Sequence, residues 1–127
     1  MILVDTSVWV DYLRGHERRL ADILTEGLVL THPLVIEELA CGNLLHRAKI
    51  LDLLRALPIA SLASHEEVLE LICAERLHGT GLGAVDAHLL ASARLSRARI
   101  WSKDRALCRA AGHLALLGHA PENEGSA

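Results

Sequence analysis

The sequence predicts an α/β protein, a three-layer α/β/α sandwich on a mostly parallel central sheet. Three observations predict it. Short aliphatic runs alternate with longer segments of helical periodicity along the whole chain. The opening run, Ile2-Leu3-Val4, is apolar at every position, the pattern of a strand covered on both faces. That run breaks on an acid, Asp5, and turns at once into a helical segment. With 127 residues, 51% of them hydrophobic, and no internal repeat, the chain reads as one domain over 1–120 with a polar tail over 121–127, expected to be disordered.

Thr6 and Ser7 suit the start of a helix over 8–13, and Gly15 closes it. A second helix runs over 17–26 with Leu20, Ile23 and Leu24 inward, and Gly27 ends it. Residues 28–31 form a second buried strand. Pro33 opens a helix where its missing N–H costs nothing, and Gly42 closes it. Over 46–57, Ile50, Leu51, Leu53, Leu54 and Leu57 recur at helical spacing until Pro58 stops the pattern. A short strand over 59–62 follows. Ser64 and Glu67 form a capping box for a helix over 65–78. The glycine loop 79–83 leads into a helix over 84–97, a strand over 99–102, a helix over 103–111 ending at Gly112, and a last strand over 114–117.

Composition excludes several function classes. Trp9, Trp101 and Tyr12 are the only aromatic residues, too few for a base-stacking platform. A net charge of −3 excludes a polycation that coats nucleic acid unaided. Arg94, Arg97, Arg99, Lys103, Arg105 and Arg109 nevertheless share a stretch whose one acid is Asp104. Such a stretch can steer a phosphate-bearing ligand, and a solvated helix surface explains it equally well. Cys41, Cys73 and Cys108 have neither zinc-site nor redox spacing, and are expected as free, buried thiols in a reducing compartment. The N-terminus lacks the pattern of a signal peptide, and no apolar run approaches the ~20 residues that span a bilayer. A soluble, cytoplasmic protein is expected.

The chemistry-bearing candidates are acids near strand-to-helix transitions. Asp5 ends the first strand, at the sheet end where open α/β proteins bind ligands. A carboxylate at the tip of a buried strand is costly unless something pairs with it. Asp86 lies in the first turn of its helix, just past the glycine loop; Asp104 lies just past the fourth strand. Helix-start roles fit these two aspartates as well as catalytic ones do. Glu38 lies mid-helix beside Ile36 and Leu39, and spacing alone favours a surface residue there. Four carboxylates around one point would repel strongly without a cation. Oxygen-only ligation selects Mg²⁺ or Mn²⁺, and such an ion suits phosphodiester hydrolysis.

Four segments resemble the PIN-domain ribonucleases of the VapC toxin type. Ile2-Leu3-Val4-Asp5-Thr6-Ser7-Val8-Trp9-Val10 resembles that family's first strand and its acid. Val35-Ile36-Glu37-Glu38-Leu39-Ala40-Cys41-Gly42 resembles its acid-bearing helix. Asp86-Ala87-His88-Leu89-Leu90-Ala91-Ser92-Ala93 resembles its third motif, and Trp101-Ser102-Lys103-Asp104-Arg105-Ala106-Leu107 its fourth. Family members often carry Thr at the place of Ser102 and an aromatic at the place of Leu107.

The resemblance implies a metal-dependent endoribonuclease toxin of a type II toxin–antitoxin module, cutting RNA by metal-activated water and leaving a 5′-phosphate. It implies that Asp5, Asp86 and Asp104 hold Mg²⁺ or Mn²⁺, with Glu38 completing the acidic pocket. Thr6 and Ser102 would orient the carboxylates by hydrogen bonds. A homodimer and a cognate VapB-type antitoxin are implied as partners. A patch of Trp9, Tyr12, Leu13, Leu44 and Leu45 is expected as the antitoxin groove. Lys103 and Arg105 are expected RNA-backbone contacts, with solvation the equal alternative. The rival classes are a catalytically silent binding module on the same fold and a phospho-receiver or phosphatase using Asp5 as nucleophile. None of the eight histidines has a metal-binding spacing, and the Gly79-x-Gly81-x-Gly83 run follows a helix, not the strand a dinucleotide loop requires.

Overall fold

The computed structural model describes residues 1–118. In chain order its elements are β1 (Ile2–Val4), α1 (Thr6–Leu13), α2 (Arg19–Thr25), β2 (Val29–Leu30), α3 (Pro33–Cys41), α4 (Arg47–Arg55), α5 (His65–Ala74), α6 (Ala84–Ser96), β3 (Arg99–Trp101) and α7 (Arg105–His113). They form the expected α/β/α sandwich. The sheet order is β2-β1-β3, parallel throughout. Parallel single-residue bridges, Thr31 to Ile59 and Ile100 to Leu117, extend it on either flank. The two outer strands expected over 59–62 and 114–117 thus shrink to one bridge each. The expected tail over 121–127 lies outside the described residues.

β1 is the axis of the fold. Leu3 and Val4 are fully buried, and the strand pairs on both sides. The chain leaves β1 toward β2 on one side and reaches β3 on the other. The C-terminal end of β1 is therefore a point where the strand order reverses, and crevices at such points bind ligands. Asp5 is the next residue. α1 packs on α3 and α3 on α4, while α5 packs on α6 and α6 on β3 and α7. The core joining them is aliphatic, with Leu20, Ile23, Val35, Leu54, Leu89, Leu90, Ile100 and Leu107 almost wholly buried.

Local chemistry sets the boundaries. Ser64 accepts from Glu67 N at 3.1 Å and donates its own N–H to Glu67 Oε1 at 2.9 Å, the reciprocal cap expected for α5. α5 stops at Ala74, earlier than expected, because Arg76 takes a left-handed φ of 52° and Leu77 N donates back to Ile72 O at 3.0 Å. Gly112 does not end α7, which runs on to His113.

Two burial expectations are corrected. Trp9 is only 4% exposed and packs edge-on to Tyr12, so it joins the core rather than a surface groove. Tyr12, Leu13 and Leu44 are half-buried against that core, and only Leu45 stands fully in solvent. Cys41 and Cys73 are exposed and Cys108 is half-buried; all three are free thiols. No helix among the described residues is long and apolar enough to cross a membrane.

Candidate active site

The site is built around the Asp5 carboxylate, 5% exposed. Its backbone N–H donates to Trp101 O at 2.9 Å, so the β1–β3 ladder fixes the residue. Asp5 stands at the N-cap of α1, yet its side chain makes no cap hydrogen bond. Its Oδ2 instead accepts from Ser7 Oγ at 2.6 Å and from Ser102 Oγ at 2.8 Å. Each serine is held in turn: Ser7 Oγ accepts from Lys103 N at 2.9 Å, and Ser102 Oγ from Asp104 N at 3.0 Å. The segments after β1 and β3 are thereby laced together. Among the described residues nothing donates to the other Asp5 oxygen, which stays available to a ligand.

Glu38, Asp86 and Asp104 come from three other segments. Glu38 on α3 is exposed, and its Oε1 accepts from Thr6 Oγ1 at 2.6 Å. Asp86 is the third residue of α6, and it accepts from the N–H of Gly83 at the N-cap, half of a capping box. Asp104 caps α7, its Oδ2 accepting from Leu107 N at 2.9 Å. Each acid therefore has a local structural partner as well.

The electrostatics of Asp86 register the other three acids. Burial first, and then the charge of Asp5, push the Asp86 carboxyl up to about 6; the Gly83 amide opposes this, and Asp104 and Glu38 add to the rise. One carboxylate thus feels three others from distant parts of the chain. Among the described residues no three His, Cys, Asp or Glu side chains are close enough to form a metal-ligand set. The four share a field without sharing a point. The donor chemistry fits a hard divalent cation, because all the donors are carboxylate oxygens and the repulsion felt by Asp86 is what a cation relieves.

Ser7 escaped the sequence reading, where it served only as a helix-start residue. Its spacing of two from Asp5, at a strand end, is the one signal that could have marked it. Lys103 is committed elsewhere: its Nζ lies 2.8 Å from Asp11 Oδ2 and 2.9 Å from Glu17 Oε1. Glu17 is buried and also pairs with Arg19 at 3.0 Å; Arg19 foremost, then Lys103, outweigh its burial and hold its carboxyl at about 2. That ammonium is part of the fold, which leaves Arg105, exposed and free of ion pairs among the described residues, as the freer of the two expected RNA contacts. Burial and then the charge of Asp104 raise the Cys108 thiol, which donates to Ser102 O at 3.2 Å.

Comparison with known proteins places this geometry in context. The PIN domain matches residues 2–113. The protein named Ribonuclease VapC32 in Mycobacterium tuberculosis, in both strain CDC 1551 / Oshkosh and strain ATCC 25618 / H37Rv, is 50% identical over 108 residues. That alignment covers 84% of this chain and 87% of the relative.

Proposed function

This chain belongs to the PIN-domain family, and from that premise we propose that it is a metal-dependent endoribonuclease, the toxin of a type II toxin–antitoxin module. The observation that carries the proposal is the coupling of Asp86 to Asp5, Asp104 and Glu38 at the reversal point of a parallel sheet. The relative named as a ribonuclease supports the same reading. The bond hydrolysed is P–O3′ of RNA, leaving a 5′-phosphate and a 3′-hydroxyl.

Asp5, Asp86 and Asp104 would hold Mg²⁺ or Mn²⁺, with Glu38 closing the acidic pocket. Such an ion, when bound, supplies charge neutralisation at the phosphoryl oxygens and activation of water. The chain's own residues do the rest. Ser7 and Ser102 fix one oxygen of Asp5 and leave the other to the reacting centre. Thr6 holds Glu38 at the mouth of the pocket. Asp104 is oriented from both ends, by the Ser102 bond to its amide and by its cap on α7. Arg105, exposed beside Asp104, is the cation left for the RNA backbone once Lys103 is paired with Asp11 and Glu17. A cognate VapB-type antitoxin, a homodimeric assembly and a cytoplasmic location follow the same reading.

Asp5→Asn tests it. Cleavage of RNA should fall at least about 100-fold, since even residues that only orient metal ligands are worth 10–100-fold. Melting should stay at or above the wild-type temperature. Mapping of RNA ends from wild-type reactions should give 5′-phosphates. Undiminished growth arrest by the variant would favour a silent binding module instead.

A further inference from the structure

A cavity of about 490 Å³ lies between the C-terminal end of α5 and α7, in the size range of sites that hold a small organic ligand. Leu77 and Ala110 are buried in its wall, with Ala106 partly so. Arg76 and Arg109 line it and are exposed. Neither makes an ion pair among the described residues. Glu75, the one acid in the lining, is already matched: Oε1 lies 3.3 Å from Arg94 and Oε2 lies 3.7 Å from His113. The cavity thus offers an apolar wall and two uncompensated guanidinium groups. Arg76 holds a left-handed backbone, φ 52°, where glycine or asparagine fits with less strain.

Both walls of the cavity are joined through the chain to segments that carry the acids. Ala106 follows Asp104 closely on α7. The loop that begins at Leu77 and Thr80 runs on to Gly83, which caps the turn carrying Asp86. Gly81 bridges the two walls: a Cβ there would sit 3.7 Å from Ala106 Cβ. An acidic pocket repels the phosphates of an RNA strand, so affinity must come from cations beside it.

We propose that this cavity is a nucleotide subsite. It takes one nucleotide of the RNA strand next to the bond being cut, the base against Leu77, Ala106 and Ala110 and the phosphate on Arg76 and Arg109. The proposal rests on the ribonuclease reading above and gives that reading a specificity element. A single-stranded nucleic acid matches the lining on both counts, since each unit couples an apolar face to a phosphate.

The test uses the full chain and a 5′-fluorescein hexaribonucleotide, with binding read by anisotropy in EDTA so that nothing is cut. Arg76→Gly/Arg109→Ala is the main variant; glycine suits the left-handed position and alanine the helix, so folding is preserved. It should bind about tenfold more weakly at low salt. The slope of log affinity against log salt should drop by about 1.4, roughly 0.7 for each lost single-strand phosphate contact. Ala74→Leu, at an exposed position of the lining, should keep the salt slope and change the preference among hexamers differing in one base. Hydrolysis of bis(4-nitrophenyl) phosphate with Mn²⁺ reads the acidic site alone; the double variant should match wild type within about twofold, and Asp5→Asn should lose it. Wild-type affinity and slope in the double variant would overturn the subsite while leaving the ribonuclease intact. Unchanged RNA binding with lost affinity for an acidic antitoxin segment would also overturn it. A wild-type protein that binds the hexamer through the two arginines but cuts no RNA would refute the ribonuclease and leave the cavity a nucleotide-binding site with no scissile bond beside it.

Discussion

Two serine hydroxyls converge on one oxygen of Asp5, and that oxygen can do little but hold its place. Removing one donor should loosen the carboxylate without unfolding the chain. Ser102→Ala and Ser7→Ala are each expected to lower kcat for RNA cleavage about tenfold. Ser102→Thr, which keeps the hydroxyl, should restore most of it, and steady-state kinetics on one RNA substrate decide. Asp86 gives a second prediction at this scale. Its folded carboxyl titrates at about 6 against an ordinary 3.8, so the metal-free folded state holds a proton that the unfolded chain releases. The associated stability is whole below 3.8 and drains as the pH rises through 6. In EDTA at pH 8, Asp86→Asn should therefore raise Tm by about 3–5 °C, and at pH 3.5 it should change little. The same variant should abolish cleavage. Calorimetry at the two pH values checks the first half; equal Tm for both proteins at pH 8 would count against the shared field.

At the scale of elements, His32 joins the start of α3 to α6. It is buried at 4% exposure, its Nδ1 accepts from Leu34 N at 3.0 Å, and its Nε2 lies 3.2 Å from Ser92 Oγ. An accepting Nδ1 puts the proton of a neutral ring on Nε2, which donates to the serine. Burial, and then the nearby His88, lower its titration from 6.5 to about 4. Above 6.5 its contribution to stability is complete. Between 6.5 and 4 the unfolded chain takes up a proton that the folded one refuses, so stability falls, by at most about 3 kcal/mol. His32→Asn, which can still cap, should flatten that part of the curve in urea titrations across this window. The helices themselves were legible: Pro33, the Ser64–Glu67 pair and the aliphatic spacing mark their starts and inner faces. What the sequence hides is which side chain serves which end. His32 read as one histidine among eight, and Trp9 as a surface aromatic, because burial of a polar-edged ring depends on neighbours from distant segments. Lys103 hid for the same reason: its partners, Asp11 and Glu17, lie some ninety positions upstream.

For the molecule as a whole, the arrangement of the sheet decides where chemistry can occur. The alternation of runs and helices foretold a parallel sheet, and the break at Asp5 marked the C-terminal end of its central strand. The strand order β2-β1-β3, which makes that end a reversal point, depends on long-range pairing and has no local signature. The four acids were legible as candidates for the same reason that they look ordinary: three sit at helix starts, where acids are common. The coupling of Asp86 to the other three is a property of the fold. A cation that binds this region in the folded chain alone stabilises it by mass action, by about 2.7 kcal/mol at a hundred times its dissociation constant. Titrating Mn²⁺ should raise Tm of the wild type and leave Asp5→Asn nearly unmoved; an equal shift in both would mean that the ion sits elsewhere.

The flanks of the sheet have a meaning for crowded solutions. Each ends in a single bridged residue, Ile59 or Leu117, both partly open to water. Among the described residues, a second molecule arriving edge-on finds no row of free amides and carbonyls long enough to zip onto. Brevity, with Pro58 beside one bridge and the Arg99 side chain on the Leu117 carbonyl at the other, limits edge-to-edge growth of this aliphatic sheet.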